Sequence, residues 1–427
     1  MNLDRKTFLR GAAFGTAGLL AGASLRGESA PAAASLPAFD AREPEAFWRA
    51  VRAQFSLSRE LTYFNTGGLG PASQPVLAIA AETTRQLQEK SEHGHALFGG
   101  ARTDVARFLG ADPGEIAFVR NATEGNSIVA AGLSLKAGDE VIFDSHAHPG
   151  GSFPWFNQVK LRDVVVKLFE PDPQSAAGNL SRIAALITPR TRVVQVSHVT
   201  APTGIVLPVA EIGRLCRERG VWFHIDGAQS AGMFPFSLRE LGCDSFATSG
   251  HKWVGGPHET GVLFVRRDRL DAVAPTLVGA YSGELDFLPG ELRIAPTAMR
   301  YEYGTRNAAA ILALAGAMRW QEQIGRERIA ARGRSLVARV RAGLEKITDV
   351  EILTPADAGL SAAMITFRSP RLPYDKLFER LLTNYRLRCR PVSEQKLNAV
   401  RVSTHLFNSP DECDRLVAAV KTILSKT

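Results

Sequence analysis

Lys252 stands in the stretch SGHKWVGG, behind a short apolar run and ahead of two glycines. A lysine in a desolvated or cationic environment loses its proton more easily than its ordinary pKa of about 10.4 implies. Its neutral amine can then attack a carbonyl carbon and act as a covalent catalyst. The alternative is a solvated loop lysine, for which the flanking Ser249 and His251 would be coincidental. The stretch therefore indicates a nucleophilic lysine at the end of a strand.

A carboxylate and an amide close a second apolar run, in VWFHIDGAQS. Asp226 could cap the next helix. It could instead be a buried anion that pairs with a protonated ring nitrogen and makes the ring an electron sink. Gln229, three residues later, is either an ordinary polar side chain or a contact to a ring oxygen. The residues alone leave both alternatives open.

A polar turn opens a predicted helix in RNATEGNSIVAAGL, with Ala122 and Thr123 at its start. Backbone N–H groups and a hydroxyl at a helix N-terminus can bind a phosphate in the field of the helix dipole. A threonine there is equally explained as a helix cap. DSHAHPGG closes the next apolar run, where two glycines leave room for an aromatic ring on which His148 could lie flat. His146 competes for that task.

These residues follow short apolar runs that we predict to be strands. The runs are continuous rather than alternating, which is typical of a parallel sheet covered on both faces. In chain order they are EIAFVR, DEVIFD, DVVVKLFE, TRVVQVSH, VWFHID, DSFATS and GVLFVR. Between them, PVAEIGRLCRERG predicts an amphipathic helix from Pro208 to Gly220. We expect an α/β fold with a mixed, mostly parallel seven-stranded sheet, helices on both faces, and ligands at the carboxyl ends of the strands.

The chain of 427 residues, 45% of them hydrophobic, is long enough for two or three domains. After about residue 308 the pattern changes to long charged helices and short strands, which predicts a smaller α+β domain. We therefore divide the chain into a leader at residues 1–34, an N-terminal segment at 35–64, a large domain at 65–308, and the small C-terminal domain at 309–427.

Charge and cysteine content exclude several classes of protein. The net charge of +8 comes from scattered basic residues without interleaved aromatic residues, so we do not expect a nucleic-acid partner. The cysteines show neither CxxC spacing nor a dense framework, so no metal site is expected. Whether any two of them pair stays open at this point; they are Cys216, Cys243, Cys389 and Cys413.

The amino terminus has a basic start, an apolar stretch and then small residues, which is the order of a secretory signal peptide. The apolar stretch is too short to predict a stable membrane anchor. DRKTFLR resembles the twin-arginine export motif, with Lys6 in place of the second arginine. We expect a periplasmic protein exported by the twin-arginine route. General secretion and a disordered cytosolic tail are the alternatives.

Four stretches, ATEGN, HIDGAQS, SGHKWVGG and YGTRN, occur in this order and resemble class V of the fold type I pyridoxal-phosphate enzymes. That group contains cysteine desulfurases, selenocysteine lyases and isopenicillin N epimerase-like proteins. The similar stretches run from YFNTGGLGP near residue 63 to AVRVSTHLFN near residue 400, nearly the whole chain after the leader. The resemblance implies a pyridoxal 5'-phosphate cofactor bound by the large domain at 65–308, a small amino-acid-type substrate, and a homodimer with shared active sites. It also implies that the N-terminal segment at 35–64 packs with the small domain.

The resemblance also implies a role for each matching residue. Lys252 binds the cofactor covalently, Asp226 pairs with the pyridine nitrogen, and Gln229 contacts the phenolic oxygen. His148 stacks on the ring, and Arg401 clamps the substrate α-carboxylate, a task suited to a planar two-pronged donor. The other implied residues are Ala122, Thr123, Ser249 and His251 at the cofactor phosphate, Thr305 at the phosphate of the neighbouring subunit, and Asn65 at the substrate mouth.

Two departures from the family pattern narrow the chemistry. In LRCRPVSEQKLNAVR, Cys389 lies just before Arg390, and no cysteine follows where desulfurases carry a mobile one, so we predict that the chain is not a cysteine desulfurase. In SHVTAPTG, Ala201 stands where many members offer an asparagine to the ring oxygen. With its leader, the chain resembles the exported class V enzymes of pyoverdine maturation, which modify the glutamyl side chain attached to the siderophore chromophore.

The alternatives are an isopenicillin N epimerase-like enzyme, a generic amino-acid aminotransferase, and a non-catalytic protein that binds pyridoxal phosphate or an amino acid. The motifs do not choose among transamination, epimerisation, elimination and decarboxylation.

Overall fold

The computed structural model describes residues 36–286 and 290–426. The predicted leader lies outside these residues. Among them, no helix combines the length and the apolar character needed to cross a bilayer.

The strands are, in chain order, β1 (Thr62–Tyr63), β2 (Ile116–Val119), β3 (Glu140–Asp144), β4 (Val165–Phe169), β5 (Thr191–Ser197), β6 (Trp222–Asp226), β7 (Ser245–Ser249), β8 (Gly261–Val265), β9 (Gly283–Asp286), β10 (Glu291–Ile294), β11 (Glu351–Ile352), β12 (Met364–Arg368), β13 (Leu387–Arg388), β14 (Arg390–Val392) and β15 (Ala399–Ser403). The helices are α1 (Pro44–Ala53), α2 (Gln74–Lys90), α3 (Phe98–Leu109), α4 (Ala122–Gly132), α5 (Pro149–Arg162), α6 (Ala176–Leu186), α7 (Val209–Glu218), α8 (Leu238–Leu241), α9 (Ala308–Ile324), α10 (Arg326–Leu344), α11 (Tyr374–Tyr385) and α12 (Pro410–Ser425).

The large sheet has seven strands in the order β2-β8-β7-β6-β5-β3-β4. Strand β8 runs antiparallel to both of its neighbours, and the other neighbouring pairs are parallel. The carboxyl ends of the parallel strands therefore meet at one edge of the sheet, where ligands bind in folds of this kind. All seven predicted apolar runs form strands of this sheet.

Helices cover both faces of the large sheet. One face packs against α3, α6, α7 and α9, and the other against α4 and α5. Strands β2, β3, β6, β7 and β8 are buried along their whole length, in agreement with their continuous apolar sequences. Strand β4 differs, because Val165 and Leu168 are 43% and 50% exposed. It lies at one edge of the sheet, whereas β2 at the opposite edge is fully buried, so the prediction of full burial is wrong for β4.

A second, antiparallel sheet in the order β11-β12-β15-β14 packs with α10, α11 and α12 around its own core. The long charged segment after residue 308 divides into α9 and α10 at Gly325, whose φ of +100° favours glycine. Helix α9 packs on the core of the large sheet. The N-terminal segment joins the small domain, because β1 pairs with β13 and α1 packs near Leu406 and Phe407.

Candidate active site

A cavity of about 260 Å³ lies at the carboxyl ends of the parallel strands, with two arginines of the small sheet in its wall. Nine of the eleven predicted site residues line it: Ala122, Thr123, His148, Asp226, Gln229, Ser249, His251, Lys252 and Arg401. Asn65 and Thr305 are not part of the wall. The fold thus brings together side chains that are widely separated in the sequence.

Lys252 lies in the turn after β7, three residues beyond the end of the strand at Ser249 rather than at the strand end itself. A neighbouring loop fixes this turn. The N–H of Gly70 donates to the carbonyl of His251 at 2.7 Å, and a Cβ at Gly70 would lie 1.8 Å from the carbonyl oxygen of Lys252. Burial lowers the pKa of Lys252 to about 8, with Asp226 opposing the shift and two arginines adding to it. About a tenth of the amine is therefore unprotonated at pH 7, far more than for a lysine of ordinary pKa.

Asp226 ends β6 and is 7% exposed, with its carboxylate at the cavity. One oxygen accepts from the N–H of Ala228 at 3.0 Å, and the other accepts from the side-chain amide of Asn126 at 3.1 Å. The turn that follows leads into no helix, so the alternative of a helix cap does not apply. The two hydrogen bonds fix a carboxylate that still faces the cavity.

Asn126, the last residue of the ATEGN stretch, lines the cavity although the sequence analysis assigned it no role. Its side-chain oxygen lies 2.8 Å from Nε2 of His224, and Nδ1 of that histidine lies 2.7 Å from the hydroxyl of Ser245. The hydroxyl accepts from Nε1 of Trp222, so its own proton is free to go to the histidine. Nε2 of the neutral imidazole then donates to Asn126, which turns its NH₂ group toward Asp226. Burial lowers the pKa of His224 to about 3, which keeps the ring neutral.

This chain of buried hydrogen bonds predicts that Asn126→Ala lowers turnover by about 10-fold to 100-fold, since a hydrogen bond to a charged group contributes roughly 1.5–3 kcal/mol. Steady-state kinetics of the cofactor-loaded protein, with the absorption spectrum of the cofactor, measure the effect. Ser127→Ala on the same helix is the matched control and should leave both unchanged. Equal loss in the two variants would mean that Asn126 has no special role.

The predicted phosphate contacts lie where α4 begins. The side chain of Asn121, not that of Thr123, caps this helix by accepting from the N–H of Glu124 at 3.0 Å. The exposed hydroxyl of Thr123 is therefore not used as a cap. Ser249 accepts from the N–H of Ala122 at 3.0 Å. Nδ1 of His251 is buried without a hydrogen-bond partner, as a residue awaiting a ligand oxygen would be.

The structure distinguishes the two histidines that compete for the stacking position. His148 lines the cavity, and its Nδ1 accepts from the N–H of Gly150 at 3.0 Å, which orients the ring at the start of α5. A Cβ at Gly150 would lie 2.3 Å from the hydroxyl of Thr123, so glycine keeps this approach open. His146 is buried outside the cavity wall, 3.0 Å from the hydroxyl of Thr203. His148 is therefore the candidate.

Gln229 is more constrained than the motif indicates. Its amide nitrogen donates to the carbonyl of Gly67 at 2.8 Å, and its oxygen accepts from Nε1 of Trp253 at 2.8 Å. One amide hydrogen remains for a ring oxygen. Ala201 lines the cavity nearby and offers no side-chain donor, so a ligand oxygen here has few partners.

Arg401 lies on β15 and reaches the cavity from the small domain. Its guanidinium donates to Asn65 at 3.3 Å, and its Nε is buried without a partner. The side-chain oxygen of Asn65 thus helps to orient Arg401. Thr305 lies exposed in the loop before α9, away from this cavity.

A loop of the large domain is tied to the small sheet beside Arg401. Three side chains donate to three successive carbonyl groups of this loop: Arg401 to Ala201, Thr366 to Pro202 at 2.7 Å, and Thr354 to Thr203 at 2.6 Å. Both threonines and Arg401 are buried. Arg401, the predicted substrate arginine, is therefore held between the small sheet and this loop.

These residues fit pyridoxal phosphate. A readily neutralised amine and a fixed carboxylate face one cavity, a helix begins at its edge, and unpartnered polar atoms of His251 and Arg401 remain for a ligand. In the described part of the chain, no cluster of three or more histidine, cysteine, aspartate or glutamate side chains is placed to hold a metal ion.

Curated proteins related to this chain span nearly all of it. Isopenicillin N epimerase of Amycolatopsis lactamdurans is 31% identical over 392 residues, which cover 88% of this chain and 98% of that protein. A probable cysteine desulfurase of Pyrococcus abyssi is 28% identical over 396 residues, with 88% and 97% covered.

Solved structures give the same grouping. The apo cysteine desulfurase of Thermococcus onnurineus matches with a TM-score of 0.81 and 26% identity, covering 91% of this chain and 100% of that one. A mutant of C-DES with glycine covalently linked to its PLP cofactor matches with a TM-score of 0.79 and 27% identity, with 87% and 98% covered. These matches confirm the predicted fold type I architecture and its pyridoxal phosphate cofactor.

The resemblance drawn from the four sequence motifs is confirmed at the level of the family. The family model described as aminotransferase class-V matches residues 72–416, which include every predicted residue of the cavity wall. This match extends over well more than half of the sequence. The chain therefore belongs to the aminotransferase class-V family.

Proposed function

We propose that this protein is a pyridoxal-phosphate-dependent enzyme that acts on substrates with a free α-amine and a free α-carboxylate. One observation carries the proposal: an amine of lowered pKa, a fixed carboxylate and a buried guanidinium surround a single cavity, on Lys252, Asp226 and Arg401. When bound, pyridoxal phosphate supplies an electron sink for a bond broken at the substrate α-carbon. A protein that only stores an amino acid has no need of the nucleophilic amine.

Each residue has a distinct task in this proposal. Arg401 binds the α-carboxylate and fixes the orientation of the substrate, since a planar guanidinium can donate two parallel hydrogen bonds. Asp226 supplies the negative charge at the ring nitrogen, and His148 covers the ring face. The amine of Lys252 takes or returns a proton at the α-carbon.

The lowered pKa of Lys252 predicts how covalent attachment of the cofactor depends on pH. Only the neutral amine attacks an aldehyde, and its fraction rises as the pH increases through about 8. The rate of attachment to the apoprotein should therefore increase from about pH 6.5 and level off above about pH 9. Stopped-flow absorbance after mixing with pyridoxal phosphate measures this rate. A rate still rising steeply at the highest pH would indicate an unshifted lysine.

We propose further that the protein is not a cysteine desulfurase, although several relatives carry that name. Desulfuration by a persulfide requires an accessible thiolate. All four cysteines are free and buried, and burial raises the pKa of Cys389, which is 1% exposed, to about 12. A thiol in that state is a poor nucleophile at neutral pH.

The test of the proposed function is a titration of the purified, cofactor-loaded protein with amino acids, following the cofactor absorption band and the products. A shift of the band followed by turnover of the α-amine supports an enzyme, whereas a shift without any product supports the binding-protein alternative. Sulfide release from cysteine at the rate of other turnovers would contradict the exclusion of desulfurase activity. Chiral analysis of the product separates an epimerase from an aminotransferase.

The amino-terminal pattern supports the proposal that the enzyme works in the periplasm after twin-arginine export. For an exported enzyme of this class, we propose the glutamyl side chain attached to a pyoverdine precursor as the substrate. A reporter fused to residues 1–34 tests export, and retention in the cytosol would contradict it. The titration should include a glutamyl siderophore precursor. If free amino acids shift the cofactor band and the precursor does not, the assignment of this substrate is wrong, and the rest of the proposed function is unaffected.

The exposed position of Thr305 supports the proposal of a homodimer in which this residue completes the phosphate site of the partner. Thr305→Ala should weaken cofactor retention without changing the mass measured by light scattering. A monomer in solution would contradict the shared site.

A further inference from the structure

A second arginine lies in the cavity beside Arg401, and neither the motifs nor the proposed mechanism gives it a role. Arg390 lines the cavity and belongs to β14, which pairs antiparallel with β15 so that Arg390 stands directly opposite Arg401. Residues directly opposite in an antiparallel pair lie on the same face of the sheet with neighbouring side chains. The two guanidinium groups therefore face the same space.

The position of Arg390 is fixed from outside the cavity. Its Nη2 donates to the carboxylate of Glu394, while its Nη1 is buried without a hydrogen-bond partner. The segment after Glu394 is strained, because Gln395, Lys396 and Asn398 have φ angles of 48°, 58° and 51°. Gln395 donates to the carbonyl of Ser145 and so holds this segment on the large domain. Strained residues of this kind persist only where the surroundings fix them, and they cluster at ligand-binding segments.

The charges of the cavity leave Arg390 with an unused donor. Asp226 is the carboxylate of the cavity wall, and it is engaged by Asn126 and Ala228. In the proposed function, Arg401 is used by the α-carboxylate of the substrate. The free Nη1 of Arg390 then points to a second oxygen acceptor, and a guanidinium favours carboxylate and carbonyl oxygens.

We propose that Arg390 binds the oxygen at the end of the substrate side chain, so that the substrates are acidic amino acids or their side-chain amides. This inference rests on the proposed function and specifies the substrate class of the same site. A free carboxylate and an amide carbonyl share the acceptor chemistry. An aliphatic side chain of equal length has no such oxygen acceptor.

The test compares three probes with the same carbon skeleton: L-glutamate, L-glutamine and L-2-aminopentanoate, which has no side-chain oxygen. Dissociation constants come from the shift of the cofactor band in the holoenzyme, with KM and kcat measured alongside. We expect glutamate or glutamine to bind about tenfold or more tightly than 2-aminopentanoate, as a charge-assisted hydrogen bond provides. The stronger of the two oxygen-bearing probes identifies carboxylate or amide as the ligand.

Variants separate recognition from structure. Arg390→Met should remove the preference for glutamate or glutamine and leave the dissociation constant of 2-aminopentanoate nearly unchanged. Arg390→Lys should retain part of the preference. Arg388→Met is the matched control, with no change expected, because it removes an exposed arginine of β13, which precedes β14 in the chain and pairs with β1. If Arg390→Met fails to load the cofactor, the preference of the unmodified enzyme together with Arg390→Lys decides the question.

Two results would overturn the inference: equal constants for all three probes in the unmodified enzyme, or a parallel loss for all three in Arg390→Met. In either case a shift of the band by any amino acid leaves the proposed function intact. If no amino acid shifts the band at all, the proposed function itself fails.

Discussion

Lys252→Ala is expected to abolish covalent attachment of the cofactor and to lower turnover by about 10²–10⁴-fold, the usual contribution of a positioned proton-transfer group. The amine is held in the cavity by the loop that carries Gly70, and burial lowers its pKa to about 8. No other lysine lines the cavity in the described part of the chain. Borohydride reduction followed by peptide mass spectrometry locates the attachment, and a spectrophotometric assay measures turnover.

The control for this experiment is Lys160→Ala, which removes an exposed lysine from α5. It should retain attachment at Lys252 and full turnover. If the Lys252 variant is still reduced to a stable covalent adduct on the chain, or keeps the rate of the parent, then the nucleophile lies elsewhere and the proposed mechanism is wrong.

Asp226→Asn is expected to lower turnover by about 10²–10³-fold, the range seen when one preorganised electrostatic group is removed. The substitution keeps the size of the side chain and removes the charge that the proposal places at the ring nitrogen. It also places an NH₂ group against one of two donors, Ala228 N–H or the amide of Asn126. The cofactor band and its pH dependence should change together with kcat, which a purely structural effect would not require.

The matched control for Asp226→Asn is Asp375→Asn, an exposed aspartate in the first turn of α11. Circular dichroism of both variants shows whether the fold is retained. A correctly folded Asp226→Asn enzyme with the spectrum and turnover of the parent would remove Asp226 from the mechanism.

The sequence predicts those parts of the site whose chemistry is local. Lys252 and Asp226 each end or follow a continuous apolar run, and a buried polar residue after such a run indicates the carboxyl end of a strand, where ligands bind. The same reasoning predicts the strands themselves. Strand β4 shows the limit of this reasoning. The exposure of Val165 and Leu168 depends on strand order and on what covers an outermost strand, since β2 at the other side of the sheet is fully buried. A local sequence pattern encodes neither.

Hydrogen bonds between residues that are distant in the sequence could not be predicted. The hydrogen bond between Asn126 and Asp226 joins residues 100 positions apart, and that between Gln229 and Gly67 joins residues 162 apart. Asn126 carried one usable signal, since it lies four residues after Ala122 on a helix and therefore on the same face. Arg390 carried none, because its direction depends on the pairing of β14 with β15.

The loop at Ala201–Thr203, whose three carbonyl groups accept from three side chains of the small sheet, limits how this enzyme can diversify. A large domain produced alone would lack these three donors. Any of the three carbonyl groups that stayed buried would then be an acceptor without a partner, which is costly. Each domain is therefore expected to be less stable alone than in the whole chain. A small domain taken from another member of the family would have to bring donors that match this loop. We therefore expect substrate specificity to evolve by substitutions in the loop and the small sheet rather than by exchange of whole domains.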